Sequence, residues 1–292
     1  MPLQARLGLL VAIFVWAISY IAVKVALTAA PPLTVAGLRL IISALCFVAW
    51  YALRRQWPKI PNRKLFTALF GLSLLGTGLH YGIQTIGLQY TTAANASIYA
   101  TTGPIAIALL AIFMGERLTL RKGGGILLAL CGVLLVQGLE TLTKFELSGH
   151  MLGDALVFIS VFMWGVFTVF GKRVADEVGP LPMIGLTTII GAIWMIPISG
   201  VEIYTRSFDL ASISPKAWLA ITFLGITCSF LAPLLYFIAL KHTEAQKVGV
   251  YLYAIPPLTY IMAALFLGET IGINLILGAL LVLAGVYITD RA

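Results

Sequence analysis

The sequence predicts an all-helical integral membrane protein, with ten transmembrane helices arranged as two inverted five-helix repeats and both termini cytoplasmic. Composition, block length and an internal repeat each point to it. Of the 292 residues, 60% are hydrophobic and only 10% charged, whereas a soluble domain spends about a quarter of its residues on charge. The apolar residues run in blocks of about twenty, the length that crosses roughly 30 Å of hydrocarbon at about 1.5 Å per residue.

The blocks lie at 7–28, 34–54, 64–88, 91–114, 121–138, 151–174, 181–201, 215–240, 244–267 and 272–289. The first begins with Arg6 and ends near Ala29 and Ala30, as a signal peptide would. Its apolar run is too long for one and it has an internal counterpart, so it reads as a retained helix. The gaps are short, and none is long enough for a soluble catalytic or ATP-binding domain.

The formal charge of +8 raises the question of nucleic acid, but its distribution answers it. With the N-terminus inside, 14 of the 19 Lys and Arg residues fall on cytoplasmic segments, with Arg54, Arg55, Lys59, Arg63 and Lys64 the densest group. That asymmetry is the positive-inside rule, and it leaves no nucleic-acid partner to explain. Cys46, Cys131 and Cys228 all sit within spans, in no metal-ligand spacing and with no disulfide framework.

Trp16–Lys24 reads WAISYIAVK and Trp164–Lys172 reads WGVFTVFGK, an offset of 148 that also relates Pro32 to Pro180 and Gly37 to Gly185. Later matches drift to 152 for Thr91 and Thr243, then to 153 for Gly115-Glu116 and Gly268-Glu269. The boundary is placed between residues 143 and 144, so the halves are 1–143 and 144–292. Five spans per half is odd, so the second half must enter the membrane from the other side. Such a repeat supplies two similar states open to opposite faces, with a ligand site near the midplane, as in many secondary transporters.

WAISYIAVK, the AGLRLIISAL of the second span and LQYTTAANASIYATTGPIAIALLAIFMGERL across the fourth resemble the EamA type of the drug/metabolite transporter superfamily. The second half repeats the pattern in WGVFTVFGKR and LKHTEAQKVGVYLYAIPPLTYIMAALFLGET. Within that family the aromatic-rich spans are similar to the YddG group of aromatic amino-acid exporters. The resemblance implies export of aromatic and other bulky neutral amino acids across a bacterial inner membrane. It also implies a small-molecule substrate and the lipid bilayer as partners, with no cofactor. Arg39 departs from the symmetry, because its counterpart is Thr187.

The candidate substrate-binding residues are polar or aromatic side chains at mid-span. Trp16 and Trp164 are counterparts near the centres of spans 1 and 6. They read as a cavity wall able to stack on a ring, or equally as helix packing, since tryptophan otherwise prefers the interface. His80 and Gln84 share one helical face, as do Asn95, Tyr99 and Thr102. Such stripes turn from lipid toward the bundle or a cavity, and interhelical hydrogen bonding is the alternative. Tyr99 maps onto Tyr251, and Tyr81, Tyr236 and Tyr253 join the set. His80 is a candidate for carboxylate contact or titration.

Other features read as structural. Arg39 is expected to snorkel or pair, as are Lys24 and Lys172. Glu116 and Glu269 are expected to pair or cap at the turns into spans 5 and 10. Pro104 and Pro256-Pro257 are candidate hinges. Gly125, Gly132, Gly278 and Gly285 form small-residue stripes that serve close packing, within a monomer or in a weak homodimer.

No Walker lysine, metal cluster or nucleophile–base set stands out, so an enzyme is not expected. No Asp or Glu occupies the middle of a span, which favours facilitated or weakly coupled alternating access over an acidic proton relay. The expected cavity is lined by spans 1, 3, 4, 6, 8 and 9. The alternatives are an exporter of other metabolites or drugs, and a lipid-handling, flippase-like protein.

Overall fold

A computed structural model describes residues 1–59, 62–91, 99–137, 147–267 and 272–292, with backbone alone at 137, 147–150 and 263–267. Among the described residues the chain is helical, without strands. The helices are α1 (Leu3–Leu27), α2 (Pro32–Arg54), α3 (Arg63–Tyr90), α4 (Thr102–Phe113), α5 (Leu120–Gln137), α6 (Leu147–Val178), α7 (Pro180–Thr205), α8 (Pro215–Leu240), α9 (245–267) and α10 (Ile273–Arg291). Seven of the described helices are long and apolar enough to cross a membrane. Large apolar side chains such as Leu53, Phe113 and Leu219 stay exposed on the outer surface, where the fold offers no partner but lipid.

Local chemistry sets the helix ends. Asn62 caps α3 by accepting from Leu65 N at 2.8 Å, and Ser214 caps α8 ahead of Pro215. Gly179, with φ of 90°, makes the one-residue turn between α6 and α7, a backbone conformation that favours glycine. The first turn of α2 is capped from another helix. The Glu202 carboxylate on α7 accepts from Thr34 N at 2.7 Å and from Thr34 Oγ1 at 2.9 Å.

α2 packs along α7, α5 along α10, the later half of α3 along α6, and α1 along α8. Under the sequence repeat α2 and α7 are counterparts, as are α5 and α10, and the α3–α6 pairing is the image of α8–α1. The α5–α10 contact is backbone to backbone. A Cβ on Gly132 would lie 2.7 Å from Gly278 O, and one on Gly285 would lie 2.5 Å from Gly125 O. The glycine stripes therefore serve packing within one chain.

Both α3 and α8 carry a π-helical segment, at Leu74–Leu79 and Leu224–Leu231, at matching places in the two halves. π-Segments often mark functional positions because they shift the register of the side chains that follow. Here they precede or contain His80 and Ser229. α9 changes form as well: Ala245–Gly249 is α-helical, Val250–Ala254 is 3₁₀, and Ile255–Leu267 is α-helical again. The change falls just before Pro256-Pro257, which cannot complete the bonds of a continuous helix.

Candidate functional site

A cavity of about 360 Å³ lies between α1, α2, α3, α4, α6 and α9. Its size is that of a small-molecule site. The expected set of spans is corrected at two helices. α2 contributes Arg39 to the wall, whereas α8 supports the site from behind and lines none of it.

Trp16 and Trp164 meet edge to face in the wall, ring centres 5.3 Å apart and planes 84° apart. Tyr236 backs both, at 5.4 Å and 5.8 Å. Trp16 Nε1 donates to Cys228 O at 3.1 Å, within the π-helical segment of α8. Both indoles thus line the cavity while Tyr236, which packs on both, does not. Edge-to-face contacts of this kind add about 0.5–1.5 kcal/mol each beyond burial.

Polar groups converge beside them. His80 is buried, with Nδ1 2.8 Å from Ser160 O. A carbonyl only accepts, so Nδ1 carries a proton. The His80 ring lies 4.9 Å from Tyr81 and 5.5 Å from Trp164, centre to centre. Gln84 follows one turn on. Arg39 is 3% exposed, and its guanidinium carbon sits 4.1 Å from the centre of the Tyr81 ring. Its Nε donates to Ser229 Oγ at 2.9 Å. Snorkelling is therefore not what Arg39 does.

Of the sequence-derived candidates, Trp16, His80, Tyr81, Gln84, Trp164 and Tyr253 come together around the cavity. Tyr236 lies behind the tryptophans, fully buried. Tyr99 is outside the wall and faces Phe158, ring centres 6.3 Å apart. Tyr251 is buried beside Arg6 and Asp290, away from the cavity. Asn95 and Glu269 lie outside the described residues. Sequence reasoning passed over Ser19 and Tyr20, which follow Trp16 at helical spacing, and Thr259 and Tyr260, which follow Tyr253 and Pro256 on one face. That periodicity was the available signal. Among the described residues no three of His, Cys, Asp and Glu gather as metal ligands.

Three ion pairs join helix ends outside the cavity wall. Glu116, just past α4, pairs with Lys172 of α6 at 3.0 Å. The same carboxylate accepts from Ala245 N at 2.6 Å and from Gln246 N at 3.1 Å, capping α9. Capping was expected at the turn into α5. It falls instead on a helix of the other half, which brings the positive end of that helix and Lys172 to one carboxylate. Lys172 therefore pairs rather than snorkels. Lys122 meets Glu244 at 2.5 Å, and Arg6 meets Asp290 at 2.9 Å. Lys172 lies eight residues beyond Trp164, about 12 Å along α6.

A multi-span helical bundle enclosing an aromatic cavity, with ion pairs joining helix ends outside its wall, has the architecture of a membrane transporter. The chain belongs to the EamA-like transporter family, which it matches over residues 4–137 and again over 151–289. An uncharacterized transporter of Archaeoglobus fulgidus is 30% identical over 286 residues, covering 98% of this chain and 97% of the relative. The uncharacterized transporter YoaV of Bacillus subtilis is 26% identical, covering 97% and 96%. The chloroplastic WAT1-related protein At3g02690 of Arabidopsis thaliana is 26% identical, covering 95% of this chain and 67% of the relative. A solved crystal structure shares the fold with a TM-score of 0.79 at 20% identity, covering 98% and 97% of the two chains.

Proposed function

We propose that this EamA-family transporter exports aromatic and other bulky neutral amino acids across a bacterial inner membrane by alternating access. The observation that carries the reading is the meeting of Trp16 and Trp164 in the cavity wall. Two repeat-related tryptophans, held from behind and presented to a mid-bundle cavity, are suited to stack on a planar side chain. A midplane site between inverted repeats is where such transporters hold their cargo.

The proposal includes ten spans, halves at 1–143 and 144–292, inverted orientation and cytoplasmic termini. The reciprocal packing of α2 on α7 and α5 on α10 supports it, as does the family match to each half. In this reading Glu116, Lys172, Lys122 and Arg6 lie on the cytoplasmic side, and their ion pairs hold that side closed. Transport is facilitated or weakly coupled, the chain acts as a monomer or weak homodimer, and neither catalysis nor a cofactor is part of the reading. The test is uptake of labelled tryptophan, phenylalanine, threonine and alanine into proteoliposomes, with and without a pH gradient. Saturable uptake favouring the aromatic pair supports the reading. Uptake of none of the four overturns the substrate class, and strict dependence on the gradient overturns the uncoupled form.

A further inference from the structure

Arg39 is the one charged side chain among the described residues of the cavity wall. Its guanidinium is a cation with no acceptor capacity of its own, and it is 3% exposed. Burying it costs several kcal/mol unless a partner compensates. Its contacts fix the group without neutralising it. Ser229 takes the Nε hydrogen at 2.9 Å and the Tyr81 ring faces the guanidinium at 4.1 Å. Nη1 and Nη2 donate to no atom of the described residues, and no described carboxylate pairs with Arg39. Close packing holds the segment in place, since a Cβ on Gly225 of α8 would sit 3.0 Å from Arg39 O.

The geometry points to a carboxylate-binding subsite in which Arg39, positioned by Ser229 and Tyr81, receives the acid group of the solute through Nη1 and Nη2. A planar fork whose Nη1/Nη2 edge is free matches a carboxylate with two parallel hydrogen bonds. Tyr81, His80 and Trp164 form a chain of ring contacts of 4.9 Å and 5.5 Å, which joins the acid end of the site to its aromatic end. The described wall holds no Asp or Glu to receive an ammonium. The cargo class is therefore a ring-bearing carboxylate, with or without an α-amino group, and an amine of the same ring system is rejected by the fixed charge. The repeat provides only one such anchor. Thr187 stands in the counterpart position, and its hydroxyl turns back to Met183 O at 2.9 Å, so the solute has a single acid end in the site. The ring half of this assignment rests on the reading of the previous subsection, whereas the acid half rests on Arg39 alone.

The test is calorimetric titration of the full chain in nanodiscs with five compounds: tryptophan, indole-3-propionate, tryptamine, leucine and isoamylamine. Tryptophan and indole-3-propionate should bind at least about tenfold more tightly than tryptamine, the worth of a charge-assisted hydrogen bond. Leucine should exceed isoamylamine by a similar factor. Arg39→Gln should bring the acid-to-amine ratio to about one, Arg39→Lys should leave part of it, and Ser229→Ala should lower it while leaving the charge in place. A purely structural arginine would change stability but not that ratio. Should Arg39→Gln not fold, Ser229→Ala decides. Equal binding of acids and amines, an unchanged ratio in the folded variants, or binding of none of the five overturns the subsite. An intact leucine-to-isoamylamine ratio without tryptophan binding keeps the subsite and overturns only the aromatic reading.

Discussion

Glu116 and Lys172 form a 3.0 Å ion pair across the boundary between the two halves of the chain, with side chains 12% and 22% exposed. The pair is tied to a third element, because Glu116 also accepts from the first two amides of α9. One carboxylate thus holds α4, α6 and α9 together outside the cavity wall. Glu116→Gln should lower stability by about 1–3 kcal/mol, since a charge-assisted network loses its anion and Lys172 loses its partner. Lys172→Met should cost less, because the backbone amides of α9 still engage Glu116. Thermal unfolding in detergent measures both. In the proposed cycle this contact must break for the cavity to open to the cytoplasm, so Glu116→Gln should also raise the reactivity of a cavity cysteine, Ser19→Cys, toward thiol reagents applied from that side.

The glycines of α5 make a paired test of close packing. Gly132→Ala would drive a methyl to 2.7 Å from both Gly278 O and Val282 N, whereas nothing lies within 4 Å of the corresponding position on Gly124. Gly132→Ala should destabilise by about 1–3 kcal/mol. Gly124→Ala should be neutral or gain up to about 1 kcal/mol from helix propensity. Unfolding of the two variants side by side separates a backbone-contact glycine from a tolerated one.

Glu202 is buried and caps α2 from α7 through Thr34. Glu202→Ala should cost about 1–2 kcal/mol by leaving the Thr34 amide and hydroxyl without their acceptor. Glu202→Gln keeps an acceptor and should recover part of that loss. The comparison is read from the unfolding midpoints of the two variants.

Tyr253 lines the cavity and Tyr251, two residues earlier, does not. Tyr253→Ala should reduce uptake of aromatic amino acids severalfold, by removing a wall of the site. Tyr251→Phe should leave uptake near wild type, since it alters only the neighbourhood of Arg6 and Asp290. Initial rates in proteoliposomes measure the difference.

The membrane class was legible because a span is a long, one-dimensional signal, about twenty apolar residues in a row. The repeat was legible because Trp16 and Trp164 keep the same motif. The depth of each residue was not. Under the proposed two-fold symmetry in the membrane plane a residue above the centre maps to one below it, so only positions near the centre would share a cavity with their counterparts. Trp16 and Trp164 satisfy that condition. Tyr99 and Tyr251 do not, and equating them by offset placed both in a wall that neither reaches. Arg39 was read from its nearness to the end of a span, but the close approach of Gly225 and the reach of Ser229 bury it, and both lie about 190 residues away in sequence. The π-helical segments that set His80 and Ser229 have no residue signature to find. They come from how α3 and α8 pack rather than from local propensity.

The central claim is that an aromatic amino acid crosses through the cavity bounded by Trp16 and Trp164. Counterflow tests it most directly: vesicles loaded with unlabelled tryptophan are diluted into a trace of labelled phenylalanine. The account predicts a transient accumulation of label in the wild type, strongly reduced in Trp164→Ala and only partly reduced in Trp164→Phe. Accumulation that is undiminished in Trp164→Ala, or absent from a well-folded wild type, would contradict it.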